Sequence, residues 1–359
     1  MQAFRAFAVP TPGRRFATPV LMGDPGDMAP TPIPAGKVPA DLLARVLATD
    51  RPLPPDVRLG PAVGEDACAI DVDAGVLIAT TDPITLTTSE LGRYAVVVNA
   101  NDVAVMGVRP RWFLAAILLP LGTTDDTVEQ MFATLHSALD EVGATLVGGH
   151  TEVTGAVSQP VIVGQMLGHA ADGRFVTTAG ARPGDVLVQV GSAPIEGAAV
   201  LAVEAAHRLT TVPADVVAAA ARGARDPGIS VVEAALTAAS LGATAMHDPT
   251  EGGVASGLHE LAIAARVAVR VDRPQLVWFE PGLAVCRALG ANPWATLASG
   301  SLLAAFPPDC VDTAIQALSA PGRPAVAIGA IEAGAGVHDR DGVPIEWPEH
   351  DEVARVLTT

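Results

Sequence analysis

The sequence predicts an α/β unit followed by an α+β unit, on three observations. The chain has 359 residues, enough for two domains of ordinary size. Apolar runs of strand length alternate with helical stretches over residues 36–171. Over residues 172–335 the order is mixed, with several helices in succession before strands return.

Residues 1–35 carry Pro10, Pro12, Pro19, Pro25, Pro30, Pro32 and Pro34 with little periodicity, and read as a loosely draped tail. Regular structure begins near "VPADLLARVLA", where Leu42, Leu43, Val46 and Leu47 fall at helical spacing. "ACAIDV" and "GVLIATTD" read as paired strands. "ELGRYAVVVNANDVAVMGVRPRW" reads as a helix over 90–106, with Gly107 as its cap and Pro110 as its stop. "RWFLAAILLP" is a buried strand, and "TTDDTVEQMFATLHSALDEVG" an amphipathic helix with a Thr cap and early acids. "ATLVGGH" reads as a strand running into a glycine turn, and "QPVIVGQMLGHA" as one more strand.

The second unit opens with the turn and strand of "ARPGDVLVQVG". Helices follow at about 196–208, 213–223 and 229–241, then "ATAMHD" as a strand and "GGVASGLHELAIAA" as a helix. "VAVRVD" and "SLLAAFP" read as strands, "CVDTAIQALSA" as a helix and "PAVAIGAIE" as a strand. Residues 336–359 read as a polar tail with a short helix at its end.

Composition narrows the function. The formal net charge is −17, from 22 Lys plus Arg against 39 Asp plus Glu, which disfavours nucleic acid as a partner. No segment offers the roughly 20 clean apolar residues of a membrane helix, so no membrane role is expected. Lysine occurs once, at Lys37, and this excludes a Walker A loop. Cys68, Cys286 and Cys310 match no zinc or redox spacing, and a reducing, cytoplasmic location follows as the default. The pair Arg14–Arg15 precedes an apolar patch too short for an export signal.

The chemistry lies with carboxylates at strand ends and beside glycines. These are Asp66 in "GEDACAI", Asp82 in "TTDPIT", Asp102 in the 90–106 helix, Glu152 in "GGHTEVT" and Asp248 in "HDPTEGG". If they converge without lysine they repel one another, and a hard cation such as Mg²⁺ would relieve that repulsion while bridging to phosphate. Gly64, Gly148, Gly149, Gly252 and Gly253 stand beside these acids, where backbone amides can approach phosphate, although a glycine next to Asp is above all a turn signal. Thr80 and Thr81 either bond phosphate or fit the strand. Asn99, Asn101 and Asp102 form a buried polar network or bind a ligand. His150 is an acid–base group, a phosphate donor or a turn cap, and His247 beside Asp248 is a weaker candidate.

"GEDACAI", "TTDPIT", "VNANDVAVMGVRPRWF", "GGHTEV" and "HDPTEGG" together resemble the aminoimidazole ribonucleotide synthetase-like (PurM-like) superfamily, in family order over most of residues 36–335. Among its branches the chain most resembles the hydrogenase maturation factors of the HypE type. The resemblance implies a two-domain AIR synthase-like fold whose N-terminal domain forms a dimeric β-barrel, with ATP between the domains. It implies metal held by Asp66, Asp82 and Asp102, nucleotide contacts from Thr81, Asn99, Asn101, Gly148, Gly149, Gly252 and Gly253, and catalytic roles for His150, Glu152 and Asp248. The activity implied is ATP-driven phosphorylation of an amide or carbonyl oxygen on a small-molecule or carbamoyl-type acceptor. A homodimer and a maturation partner protein are implied as well. The alternatives are a small-molecule kinase of the same fold, like thiamine-monophosphate kinase, and a nucleotide-binding scaffold without turnover. Two departures stand out: no cysteine follows Cys310, whereas that branch carries its carbamoyl group on a C-terminal cysteine, and Glu251 stands where that branch has a basic residue in "DPTRGG".

Overall fold

The structure, a computed structural model, describes residues 40, 44, 54–320 and 322–358. The proline-rich stretch 1–35 and nearly all of the helix expected near residue 40 lie outside the described residues.

The first sheet holds β1 (Val57–Leu59), β2 (Cys68–Val72), β3 (Gly75–Ile84), β4 (Pro110–Leu119), β5 (Thr145–Val153) and β6 (Val161–Ala170), in spatial order β1-β2-β3-β6-β4-β5. Helix α1 (Leu91–Val105) links β3 to β4, and α2 (Asp125–Val142) links β4 to β5. β4 and β5 run parallel because α2 carries the chain back between them, and the other pairs are antiparallel. α2 starts as its sequence dictates, with the Thr124 hydroxyl accepting the Thr127 N–H and Asp125 and Asp126 in the first turn. It buries Met131, Leu135, Ala138, Leu139 and Val142.

The second sheet holds β7 (Val186–Val190), β8 (Ala245–His247), β9 (Ala268–Val271), β10 (Leu302–Phe306), β11 (Ala325–Glu332) and β12 (Gly336–Asp339), in order β12-β9-β11-β7-β10-β8. Its helices include α3 (Glu196–Glu204), α4 (Ala214–Arg222), α5 (Val232–Ser240), α6 (Gly253–Ala265), α7 (Glu280–Leu289), α8 (Val311–Leu318) and α9 (Glu352–Thr358). One apolar core runs from the first sheet through α1 into α3, α5, β7 and β10, and a second lies between α6 and the other face of the second sheet.

Two segments differ from expectation. β5 continues through Gly148 and Gly149 to Val153, where the glycines suggested a turn. Gly149 instead permits a close parallel pairing, since a Cβ there would lie 2.1 Å from the Ala115 carbonyl oxygen. Residues beyond 335 are built into the fold: β12 pairs parallel with β9, and α9 buries Val353 and Val356 while packing against α3. A four-residue strand and a seven-residue helix are too short to leave a periodic signature.

Every residue of α1 is buried, because the sheet lies on one side of it and α2 and α5 on others. Arg93 is buried with the helix and satisfied by Glu141 at 2.6 Å and by the Ala224 carbonyl. Asn101, fully buried, donates to the Ile229 carbonyl at 2.9 Å and accepts the Val231 N–H at 2.9 Å. Its amide therefore staples α1 to the segment leading into α5. Asn101→Ala would strand both backbone groups in a dry interface. The expected loss is about 2–4 kcal/mol of unfolding free energy in urea titration, and a loss below about 0.5 kcal/mol would contradict the staple.

Candidate active site

β3, α1, the loop before β2 and the loop after β8 bring the acids together. Asp102 lies on α1, buried to 5% exposure, and accepts a 2.8 Å hydrogen bond from the Thr80 hydroxyl of β3. Burial pushes the Asp102 carboxyl well above the usual carboxylate range, and the charges of Asp82, Asp248 and Asp66 push it further. Those three acids are thus its electrostatic neighbours. Asp248, 1% exposed, follows β8, and Asp82 is half-buried near the end of β3.

Asn99 holds the backbone at Asp82. Its side-chain oxygen accepts the Asp82 N–H at 2.9 Å, and its amide nitrogen donates to the carbonyls of Asp82 at 3.3 Å and Ala95 at 2.8 Å. The clamp needs Gly164 on β6, directly opposite Asp82 in the sheet, because a Cβ there would lie 2.4 Å from the Asn99 nitrogen. Thr81 is exposed and donates to the Gly164 carbonyl at 2.8 Å.

Asp66 is held from the opposite side. His247, 3% exposed, sits between Asp66 at 2.7 Å on Nδ1 and Glu260 of α6 at 2.9 Å on Nε2. Burial alone would lower the imidazole pKa, but the two carboxylates outweigh it and hold His247 well above its ordinary value. Thr178 donates to the same Asp66 oxygen at 3.3 Å. Glu65, next in the chain, is pushed up to about 7 by burial and by Asp66. Beside Asp66, Thr80 and Thr81 opens a cleft of about 460 Å³, lined also by Pro61, Gln165 and Leu167.

The glycine turn after Asp248 is shaped by packing. Gly252 (φ 79°) and Gly253 (φ 65°) are left-handed, and a Cβ on Gly253 would meet the Trp294 carbonyl oxygen at 2.5 Å. The Gly252 N–H donates to Asp351 at 2.7 Å, so a residue 99 positions later caps α6.

Among the residues singled out from sequence, Asp66, Asp82, Asp102 and Asp248 converge, with Asn99 beside them. Gly148, Gly149, His150 and Glu152 lie instead on the edge strand β5. Gly149 is in register with Asp82 across β6 and β4, three strand spacings or roughly 14 Å away. His150 and Glu152 are exposed and 3.4 Å apart. Asn101 turns toward Ile229 and Val231. Sequence reasoning missed Glu65, Gly164, Glu260 and Asp351, and also Glu196, buried at the start of α3 and pushed up to about 7 by burial, with Asp351, Glu251 and Asp82 adding to the rise and Ser299 opposing it.

An all-oxygen donor set around a buried, charge-crowded Asp102 is the chemistry of a hard-cation site. Among the described residues, no three acid, histidine or cysteine side chains form a metal cage by themselves.

Two tests follow from this geometry. Gly164→Ala would push the Asn99 amide off Asp82, and should lower stability by about 1–3 kcal/mol in urea titration, with Asn99→Ala largely non-additive to it. Glu196 and Asp351 both stand near 7, against ordinary values of 4.5 and 3.8. They bind protons more tightly folded than unfolded, so ligand-free stability falls as pH rises from about 4 through about 7. Thermal unfolding across that range should show the decline, and Glu196→Gln should flatten it, gaining about 1–3 kcal/mol at pH 8.

Comparison with known proteins agrees with this architecture. Residues 64–170 match the family model "AIR synthase related protein, N-terminal domain", and residues 182–340 match its C-terminal domain. A carbamoyl dehydratase HypE from Rhizobium leguminosarum bv. viciae is 29% identical over 266 residues, covering 72% of this chain and 73% of that protein. Among solved structures, a HypE–HypF complex superposes with a TM-score of 0.67 at 23% identity, covering 80% of this chain and 94% of that one. HypE in complex with ATP gives 0.66 at 22%, covering 83% and 92%. Thiamine monophosphate kinase from Aquifex aeolicus gives 0.64 at 22%, covering 85% and 97%. With both halves matched in order over most of its length, this chain belongs to the AIR synthase-related family.

Proposed function

We propose that this protein is an ATP-dependent enzyme that activates an amide or carbonyl oxygen by phosphoryl transfer, as a HypE-like maturation factor or a paralogue acting on another acceptor. The observation that carries this reading is the approach of half-buried Asp66 and Asp82 to buried Asp102 and Asp248, with the Thr80 hydroxyl bonded to both the Asp66 carbonyl and the Asp102 carboxylate. Carboxylates brought near one another repel, and a hard cation bridging them to phosphate relieves that repulsion. The relative named carbamoyl dehydratase and the ATP complex of HypE support the same reaction class.

Mg²⁺ would be held by one or two carboxylates from Asp66, Asp82 and Asp102, with phosphate and water completing its shell, and Asp248 would face it from the second half. When bound, the ion supplies charge neutralisation and in-line orientation of the triphosphate. The rest is positioning by the chain itself. Thr80 fixes the rotamer of Asp102, Asn99 locks the backbone at Asp82, and His247 braces Asp66 against Glu260. The cleft beside Thr80 and Thr81 would take the nucleoside, and the Gly252 turn would close the site from the second sheet. In the transfer, the bond from the γ-phosphorus to its bridging oxygen breaks, ADP departs, and the acceptor oxygen bonds to phosphorus.

The protein would work in the cytoplasm as a homodimer joined through the first sheet into a β-barrel. The edge strand β5, with Val147 and Val153 more than half exposed, is the natural joining edge and would bring His150 and Glu152 to the interface. A maturation partner protein fits the HypE–HypF assembly.

Phosphate release from Mg-ATP tests the proposal, measured with and without carbamoyl phosphate or small carboxamides. Asp102→Asn keeps the shape of the side chain and removes its charge, and should lower release by about 100-fold or more. Undiminished release in that variant would refute the assignment.

A further inference from the structure

A cavity of about 280 Å³ lies apart from the acid cluster, between the loop that joins β3 to α1, the first turn of α1, and helices α3 and α4. Tyr94 lines it, eight residues and roughly 12 Å along α1 from Asp102. Tyr94 is 4% exposed and is the single tyrosine of the chain. Among the described residues its hydroxyl has no hydrogen-bond partner. Burial, with the charges of Glu196 and Glu90, holds the phenol above its ordinary pKa, so it keeps its proton. A buried O–H donor on a cavity wall without a partner asks for an acceptor from the cavity.

The rest of the lining sets the charge of that acceptor. Arg222, exposed in the last turn of α4, forms no ion pair among the described residues, and the half-buried Ser89 hydroxyl has no partner there either. The acceptors, by contrast, are in use. Both oxygens of Glu90 meet Arg225 at 2.8 Å, while the Thr87 hydroxyl donates to Glu204 at 2.8 Å and accepts the Ser89 N–H at 3.1 Å. A metal ion or an ammonium group would find the lining carboxylate taken and Arg222 repelling it, whereas an anion finds a free guanidinium and two free hydroxyls. One free guanidinium matches one negative charge. Phosphate carries more than one at neutral pH, and Glu90 and Glu204, both felt at Tyr94, oppose it. Val200, Val203 and Ala221 make the remaining wall apolar, which suits a short hydrocarbon part. Glu90 holds a left-handed φ of 55°, braced by Arg225, so the loop is set before a ligand arrives.

We propose that this cavity binds a small aliphatic monocarboxylate, its carboxylate held by Arg222 and the Tyr94 and Ser89 hydroxyls and its hydrocarbon part lying against Val200 and Val203. None of these residues is assigned to the triphosphate, so the site stands apart from the phosphoryl-transfer reading. The loop leads from the strand of Asp82, and the opposite wall is α3 and α4. A bound carboxylate therefore ties the first half of the molecule to the second.

With a single tyrosine, carbon-13 labelling of the tyrosine ring gives the full chain a resonance that reports on this cavity alone. Titration with sodium butyrate at pH 7 should move that resonance saturably, with a millimolar Kd. Butanol, which lacks the charge, and inorganic phosphate, which lacks the hydrocarbon, should each bind about tenfold or more weakly. Arg222→Gln, at an exposed position, should weaken butyrate about tenfold. Tyr94→Phe, followed by calorimetry, should weaken it about threefold or more. A resonance that does not move saturably with butyrate overturns the proposal, as do equal binding of butanol and unchanged affinity in Arg222→Gln. Tighter binding of phosphate overturns the assignment to a monocarboxylate, and displacement of butyrate by Mg-AMPPCP would put the cavity inside the nucleotide site and overturn its independence.

Discussion

A carboxylate on a helix with no solvent-facing side is the constraint around which the site is arranged. Asp102 cannot turn to water, because α1 is covered along its whole length. Its charge must be met locally. The chain meets it with one hydroxyl, from Thr80, and otherwise surrounds it with more negative charge. A protein selected for stability alone would place an apolar residue there. Keeping Asp102 there, with Asp66, Asp82 and Asp248 as its electrostatic neighbours, is the feature on which the proposed cation site rests.

The polar residues of α1 answer three separate demands within four positions. Asn99 points back to β3 and holds its backbone, Asn101 points to the second half and holds it to the helix, and Asp102 points to the site. Helical geometry makes this possible, since successive residues are turned about 100° from one another. The site therefore takes its position from the same helix that joins the two sheets.

Much of the fold was legible because its elements obey local rules. α2 announces its start with Thr124 and its end with Gly143, and β3, β4 and β6 carry continuous apolar runs. The acids Asp66, Asp82, Asp102 and Asp248 were legible as strand-end or helix-interior anomalies. What stayed hidden depends on distant partners. Nothing near His247 in the chain announces Asp66, 181 positions earlier, and Asp351 is invisible as a cap for Gly252 until the C-terminal segment folds back. Gly164 reads as an ordinary glycine in a strand, and only the Asn99 side chain shows why it has no Cβ. The glycines of β5 misled for the converse reason: a local turn signal was outweighed by close pairing to β4.

The shared burial of α1 also bears on how the molecule comes apart. Val96, Val97, Val103 and Ala104 are fully enclosed in a core that continues into α3, α5 and β10. If the second half melted first, it would expose a face of α1 together with the Asn101 amide, and the first half would lose a wall of its own core. Melting of one half therefore undermines the other, and the two sheets should lose structure in one cooperative step although each has its own strands and its own family signature.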